Sequence, residues 1–280
     1  MKQNYSLTNN STMDSIASSV LKHRFERERA DACLMALRAG IKPDAWQSDL
    51  LRSSAKQMIL LCSRQSGKST ITSIVGLHTA LYQENSLVLL LSPSLRQSQE
   101  LFKKLKDFYN AIQTPLLPQP VEESSLRIEF SNGSRVVSLP GTEQTVRGFS
   151  GVALLIIDEA SIVEDALYQS VRPMIATSNG RVILLSTPRG KRGFFHDVWT
   201  NGGHDWHRTR ITADQCPRIS AEWLENERKT IPDFWYRQEF ECQFVETADQ
   251  LFNFEDIQAM LSDDVKPLFP EETKNYNATY

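Results

Sequence analysis

The segment CSRQSGKST at 62–70 carries the residue types that bind phosphate groups. It fits the pattern G-x-x-x-x-G-K-[ST], with Cys62 in place of the first glycine. In such a loop Gly67 lets the backbone approach a phosphate closely, and the following helix offers its free N–H groups. Lys68 would reach the terminal phosphate oxygens, and the Ser69 hydroxyl would be a ligand of Mg²⁺. The other loop residues that we expect around the phosphates are Ser63, Arg64, Gln65, Ser66 and Thr70.

Two adjacent carboxylates, Asp158 and Glu159, follow the apolar run at 152–157. If that run is a strand, they lie at its carboxyl end, which is where α/β sheets bind ligands. Asp158 would hold Mg²⁺, and Glu159 would orient and activate a water molecule. Two carboxylates rather than one indicate a hydrolase, because binding alone needs no base. The apolar run at 87–91 fits between the two motifs, which resembles P-loop ATPases in which another strand separates the two motif strands.

Three further motifs are less specific when each is taken alone. Ser186 and Thr187 follow an apolar run and could sense a γ-phosphate, or they could form an ordinary polar turn. Trp46 and Gln47 could stack on an adenine and pair with its edge, whereas a tryptophan packed in the core is the simpler alternative. Arg147 precedes a glycine and could be a finger that contacts a phosphate, or a solvent-exposed arginine.

Short apolar runs alternate with helical patterns through the middle of the chain. The runs predict strands at 57–62, 87–91, 127–130, 135–139, 153–157 and 182–185. Helical spacing predicts helices at 14–39, at 68–82, and from Ser94 to about 112, where Ser94 and Gln97 suggest a capping box. Asn132-Gly133 between two β runs predicts a hairpin.

This alternation predicts an α/β fold: a mainly parallel central sheet flanked by helices, followed by a small, mostly helical subdomain. We expect an N-terminal tail and helical segment at 1–45, a core domain at 46–212, and a helical subdomain with a linker at 213–280.

Composition excludes several classes of protein. The chain has 280 residues, with 31 Lys and Arg against 34 Asp and Glu, and a net charge of −3. A globally basic DNA-coating protein is therefore excluded, although a local basic groove is not. No apolar run approaches the ~18 residues of a membrane span. The four cysteines form no CxxC pair, which favours a reducing compartment and argues against a zinc knuckle.

The motifs also occur together in a specific order. Trp46-Gln47, the loop with its internal Arg64, VRG at 146–148, LLIIDEA at 154–160 and STPRG at 186–190 follow one another. This set resembles the ATPase domain of the large terminase subunit of tailed bacteriophages, over roughly residues 40–245. The resemblance implies ATP- and Mg²⁺-dependent translocation of double-stranded DNA into a procapsid.

The same resemblance implies partners and residue roles. The partners are the portal protein, the small terminase subunit and further copies of the chain, usually five in a ring, in the host cytoplasm and transiently at the portal vertex. By resemblance, Trp46 and Gln47 match the adenine motif, and Ser186 and Thr187, with the following proline, match the motif that couples hydrolysis to movement. Our hypothesis is that Arg147 acts on the ATP of a neighbouring subunit and that Arg64 acts within its own subunit.

One departure from the family pattern concerns the end of the chain. A complete large terminase resembles an ATPase joined to a nuclease with several metal-binding acids. The late acids of this chain do not lie on the alternating strands that a two-metal nuclease needs; they are Asp249, Glu255, Asp256, Asp263 and Asp264. We therefore expect an isolated ATPase domain without nuclease activity.

Two alternative functions stay open at this point, as does the location of the surface that contacts DNA. A helicase-like ATPase that acts on nucleic acid shares these motifs, but it would need a second helicase domain. A nucleotide-gated scaffold without turnover is disfavoured by Glu159. DNA could contact two basic groups, which are Lys103, Lys104 and Lys106, and Arg189, Lys191 and Arg192. Exposed lysines opposite an apolar stripe more often form a solvated helix face.

Overall fold

A computed structural model of the protein describes residues 19–141, 146 and 148–245. In that part of the chain, eight strands form one sheet. They are β1 (Gln57–Cys62), β2 (Leu87–Ser92), β3 (Pro120–Glu123), β4 (Arg127–Phe130), β5 (Arg135–Pro140), β6 (Val152–Asp158), β7 (Arg181–Ser186) and β8 (Trp206–Ile211). The strand order is β3-β4-β5-β2-β6-β7-β1-β8.

Helices connect most of these strands. The described part of α1 covers 19–30. The others are α2 (Ala32–Arg38), α3 (Ala45–Arg52), α4 (Lys68–Tyr82), α5 (Leu95–Ile112), α6 (Asp165–Val171), α7 (Gly193–Asn201), α8 (Ala221–Thr230) and α9 (Asp233–Glu239), with short 3₁₀ turns at Arg172–Ile175 and Ala213–Gln215. None of the helices in the described ranges is both long and apolar enough to cross a membrane.

The sheet has a parallel block of six strands, from β5 to β8 in the spatial order, and an antiparallel edge made of β3 and β4. The predicted α/β class is therefore confirmed. The strand that separates β1 from β6 is β7, whereas β2 pairs with β6 on its other side. Because the six strands are parallel, the loops after β1, β6 and β7 leave the sheet at the same edge.

Both faces of the sheet are covered, as the continuous apolar runs predict. Along β1, Met58 and Leu60 belong to a core cluster that includes α4 and α5. The intervening Ile59 and Leu61 belong to a second cluster, which includes residues of α6 and α7. Strand β1 is therefore packed on both faces, and the loop that follows it starts from a fixed point.

The prediction of a single helix at 14–39 is wrong for the described residues, because the helix is interrupted at Asp31. Asp31 has an extended backbone, and its carboxylate accepts a hydrogen bond from the Cys33 backbone N–H at 2.9 Å. That carboxylate also pairs with Arg52 on α3, at 2.9 Å. The aspartate thus begins a new helix, α2, and ties it to α3. The predicted residues 14–18 lie outside the described ranges.

The predicted hairpin is confirmed, since β4 and β5 are antiparallel and Gly133 has a φ of +76°. Ser94 caps α5, as expected, but its hydroxyl bonds to the Gln97 side chain instead of forming the reciprocal capping box. Strand β3 was not predicted from the sequence. The predicted domain boundaries at 45/46 and 212/213 stay predictions.

Candidate active site

The loop after β1 has the backbone geometry that close approach to a ligand requires. Gly67 has a φ of +86°, and a Cβ at that position would lie 2.9 Å from the Gln47 Nε2 atom. The positive φ favours glycine at this position, and a Cβ there would also have to displace the end of the Gln47 side chain. Helix α4 begins at the next residue, with its free N–H groups at the loop. Burial raises the pKa of the Cys62 thiol well above its ordinary value, so Cys62 is a neutral side chain beneath the loop.

Lys68 and Glu159 bring the two main motifs together. The Lys68 Nζ atom lies 3.2 Å from Glu159 Oε1, and the lysine side chain is only 9% exposed. The two residues stand 91 positions apart in the sequence, so the contact depends entirely on the shared sheet edge. This pair joins the phosphate-type loop to the end of β6.

Asp158 and Ser69 form a second link between the same two segments. The Ser69 hydroxyl donates a hydrogen bond to Asp158 Oδ2 at 2.8 Å, and the Glu159 backbone N–H donates to Asp158 Oδ1 at 3.0 Å. Burial, together with the nearby charge of Glu159, raises the pKa of Asp158 above its ordinary value. The ionised Asp158 is thus destabilised by its surroundings, and a cation beside it would relieve that destabilisation.

Glu159 has an unusual backbone for a residue other than glycine, with a φ of +50°. Such a conformation costs on the order of 1–3 kcal/mol and is common at functional sites. The Ser186 hydroxyl donates a hydrogen bond to Glu159 Oε2 at 3.3 Å, and it lies 2.7 Å from the Ser161 hydroxyl. Glu159 is therefore held from two directions, by Lys68 and by Ser186. Thr187, the residue after Ser186, is buried.

The structure places Gln47 against the loop. Its side-chain Nε2 donates to the Ser66 carbonyl at 3.3 Å, and its Oε1 accepts from the Asp44 backbone N–H at 3.0 Å. Both ends of the amide thus have partners within the chain. The Trp46 ring is half-buried and packs against the core. The pairing of Gln47 with an adenine and the stacking of Trp46 stay predictions.

Arg64 lies in the loop, but its side chain is directed to Glu239 on α9. Its side chain is 65% exposed, and its guanidinium pairs with the carboxylate of Glu239. The Arg64 backbone N–H also donates to the Glu239 carbonyl at 3.2 Å. Arg147, the other predicted finger, lies outside the described residues, as do the late acids from Asp249 onward.

Arg218 is a site residue that sequence reasoning missed, as is Glu239. The Arg218 Nη2 atom donates to the Ser66 carbonyl at 2.8 Å, and Nη1 donates to Asp44 Oδ1 at 3.0 Å. Arg218 is 152 positions from Ser66, and Glu239 is 175 positions from Arg64. No local pattern in the sequence could have revealed such contacts.

The predicted DNA-contacting residues are exposed or, in the case of Lys106, partly exposed. Lys106 on α5 forms an ion pair with Glu123 on β3. The exposed members of the two groups are Lys103, Lys104, Arg189, Lys191 and Arg192. Whether any of them contacts DNA stays a prediction.

The residues at the site fit an Mg²⁺ ion that is shared with bound phosphates. They fit less well a metal ion whose ligands all come from the protein. Among the described residues, no group of three or more His, Cys, Asp or Glu side chains is arranged to hold a metal. Asp158 and Ser69 offer a carboxylate and a hydroxyl, already in contact. Mg²⁺ is usually bound by one or two protein oxygens with substrate phosphates. Ser69 and Asp158 are the residues that would hold it.

The loop at 62–70, the buried lysine and the pair of carboxylates lie together at one edge of a parallel sheet. This combination is characteristic of P-loop folds. The sequence model of the family "Terminase large subunit, T4likevirus-type, N-terminal" matches residues 59–259. The chain therefore belongs to the terminase large subunit family.

Curated relatives agree with this assignment. The large terminase subunit of Thermus phage G20c is 23% identical over 255 residues, which cover 79% of this chain and 53% of the relative. The large terminase subunit of Escherichia phage T5 is 26% identical over 228 residues, covering 76% of this chain and 50% of the relative. The chain thus spans about half the length of these relatives.

Solved structures share the fold. The ATPase domain of the large terminase of Thermus phage P74-26 superposes with a TM-score of 0.67 at 20% identity, covering 75% of this chain and 97% of that one. The large terminase of another thermophilic bacteriophage, solved in complex with ADP, gives a TM-score of 0.57 at 12% identity, covering 77% of this chain and 54% of that one. At these identities the likeness establishes the fold alone.

The raised pKa of Asp158 predicts that Asp158→Asn increases stability at neutral pH. A folded-state pKa above the unfolded value means that ionised Asp158 weakens the fold at pH 7, and that this penalty disappears in acid, below the unfolded value of 3.8. Thermal unfolding at pH 7 should give a higher Tm for the variant, by about 2–4 °C per kcal/mol gained.

Asp49→Asn is the matched control, because Asp49 is an exposed carboxylate on α3. We expect no change in Tm for that variant. The assigned environment of Asp158 would be contradicted if Asp158→Asn had the Tm of the wild type, or a lower one, at pH 7.

Proposed function

We propose that the chain binds ATP with Mg²⁺ in the loop at 62–70 and hydrolyses it. The observation that carries this proposal is the distance of 3.2 Å between Lys68 Nζ and Glu159 Oε1. A lysine that binds phosphates and a glutamate that activates water must flank the same small space, and the contact between Lys68 and Glu159 supports these roles. Family membership supports the same conclusion.

In this proposal each residue has a separate task. The α4 N-terminus and Lys68 hold the phosphate oxygens. Glu159 accepts the proton of the attacking water, and Ser186 orients the Glu159 carboxylate. Bound Mg²⁺, held by Ser69 and Asp158, would neutralise phosphate charge. The remaining contacts with the nucleotide come from Ser63, Gln65, Ser66, Gly67, Thr70 and Thr187. Gln47 supports the loop through its hydrogen bond to the Ser66 carbonyl.

Two arginines are proposed to stabilise charge on the transferred phosphate. Arg64 would act within its own subunit, for which it must leave Glu239 and turn to the phosphates. Arg147 would act on the ATP of a neighbouring subunit. An arginine in such a role contributes about 10³–10⁵ in rate.

The biological task is proposed from the family. ATP hydrolysis would drive double-stranded DNA into a procapsid, and the working form would be a ring, usually of five subunits, at the portal vertex. Its partners would be the portal protein and the small terminase subunit, and its location the host cytoplasm. Nuclease activity is not part of the proposal for this chain.

Glu159→Gln tests the catalytic step. The amide keeps the size of the side chain and can still accept the Ser186 hydrogen bond, but it cannot take a proton. Phosphate release should fall about 10²-fold or more, whereas binding of ATP with Mg²⁺ should persist. Glu164→Gln, an exposed glutamate five positions on, should hydrolyse ATP at the wild-type rate.

A joint loss of binding and turnover in Glu159→Gln would make Glu159 structural rather than catalytic. If the wild type bound ATP without any turnover, the nucleotide-gated scaffold would be the better description.

Mixed rings test the two arginines. Arg147→Ala and Glu159→Gln subunits are each expected to be inactive, but in a mixed ring an intact Arg147 can meet an intact Glu159 across one interface. Some ATPase activity should then return. Mixing Arg64→Ala with Glu159→Gln should restore none, since no subunit would hold both groups. Absence of recovery in the first mixture, with co-assembly verified, would argue against action between subunits.

A further inference from the structure

A concave pocket of about 560 Å³ opens beside the phosphate loop. Gln65 of the loop forms one wall, and Arg218 and Ile219, from the segment after β8, form another. Trp223 on α8 and Phe240 at the end of α9 complete it. The volume falls in the range of pockets that hold small molecules, about 300–1,000 Å³.

The pocket is fixed to the loop by hydrogen bonds. Arg218 donates to the Ser66 carbonyl at 2.8 Å, and the Arg64 backbone N–H donates to the Glu239 carbonyl at 3.2 Å. The helices that carry the aromatic rings therefore have a set position relative to the loop. Because Gln65 of the loop lines the pocket, the pocket lies beside the residues that are proposed to bind phosphates.

The Trp223 ring is exposed yet well positioned. It is 46% exposed although it is one of the largest apolar side chains. Its backbone N–H is capped by the Ser220 hydroxyl at 3.2 Å, and its ring meets Phe240 edge-on at 5.5 Å and 74°. Trp223 thus lines the pocket with a partly exposed ring that also contacts Phe240. The faces of such rings bind nucleobases by stacking.

Arg218 provides a second flat surface. Its guanidinium is held by Asp44 and by the Ser66 carbonyl, while its side chain stays 47% exposed. A planar guanidinium stacks on aromatic rings, including those of nucleobases. The pocket thus combines an aromatic face with a fixed cationic plane.

Other locations for a base are less suitable. A cavity of about 680 Å³ is lined by Leu81 and Tyr82, at the far end of α4. With 15 residues, α4 puts that cavity roughly 22 Å from the loop. Gln47 already uses both ends of its amide, and the Trp46 ring packs against the core.

We propose that the adenine base of ATP stacks on Trp223 in this pocket, beside Arg218 and Phe240. The assignment rests on the proposed binding of ATP in the loop. It makes Trp223 a determinant of nucleotide affinity that acts on the base and not on the phosphates.

Trp223→Ala tests this assignment when two probes are compared, ATP and inorganic tripolyphosphate, each with Mg²⁺. The Kd for ATP should rise about tenfold or more, the scale of a lost stacking contact. The Kd for tripolyphosphate should not change, and Trp223→Phe should restore most of the ATP affinity. Trp235→Ala is the matched control, since Trp235 is also 46% exposed but lies outside the pocket. It should bind both probes as the wild type does.

Three results separate the proposals. Unchanged ATP affinity in Trp223→Ala would overturn the base pocket and leave the ATP site intact. Loss of both probes in Trp223→Ala would also overturn it, because the ring would then only support the loop. A wild type that bound neither probe would instead contradict the proposed ATP binding.

Discussion

The ion pair between Lys68 and Glu159 is the contact on which the candidate site depends. It joins the first residue of α4 to the residue after β6, across the intervening strand β7. Only a parallel arrangement of β1, β7 and β6 brings the loops after these strands to one edge. The buried apolar runs of the three strands therefore decide where the charges meet.

Among the described residues at this edge, two carboxylates face one buried lysine. Lys68 faces Glu159 directly, while Asp158 is buried beside the same glutamate. One lysine cannot compensate two carboxylates, and burial together with the charge of Glu159 raises the pKa of Asp158. Lys68 would pair with the phosphates of a bound nucleotide, and Asp158 and Ser69 would bind Mg²⁺. In this account the residues are arranged for a ligand that carries both signs of charge.

Much of this arrangement could be predicted from short stretches of sequence. Continuous apolar runs identify strands that are buried on both faces, and Asn132-Gly133 identifies the hairpin. The break at Asp31 was missed because its capping role competes with a helical pattern that continues on both sides. Strand order was missed for another reason: the placement of β7 between β1 and β6 depends on how whole strands pack.

The partners of the loop were the hardest part to foresee. Arg218 and Glu239 contact Ser66 and Arg64 from the far end of the described chain. Such contacts depend on the position of the segments that follow β8, which the sequence around each residue does not encode. The candidate base pocket has the same origin, because its rings come from α8 and α9.

The most direct test of the account is phosphate release from ATP with Mg²⁺ by the Lys68→Ala variant, without DNA. Lys104→Ala, an exposed lysine on α5, is the control and should match the wild type. We expect that Lys68→Ala releases no phosphate above background and binds ATP more weakly, because the variant lacks the buried cation that would bind the phosphates. Wild-type turnover in Lys68→Ala would contradict the assignment of this loop as the site of ATP hydrolysis.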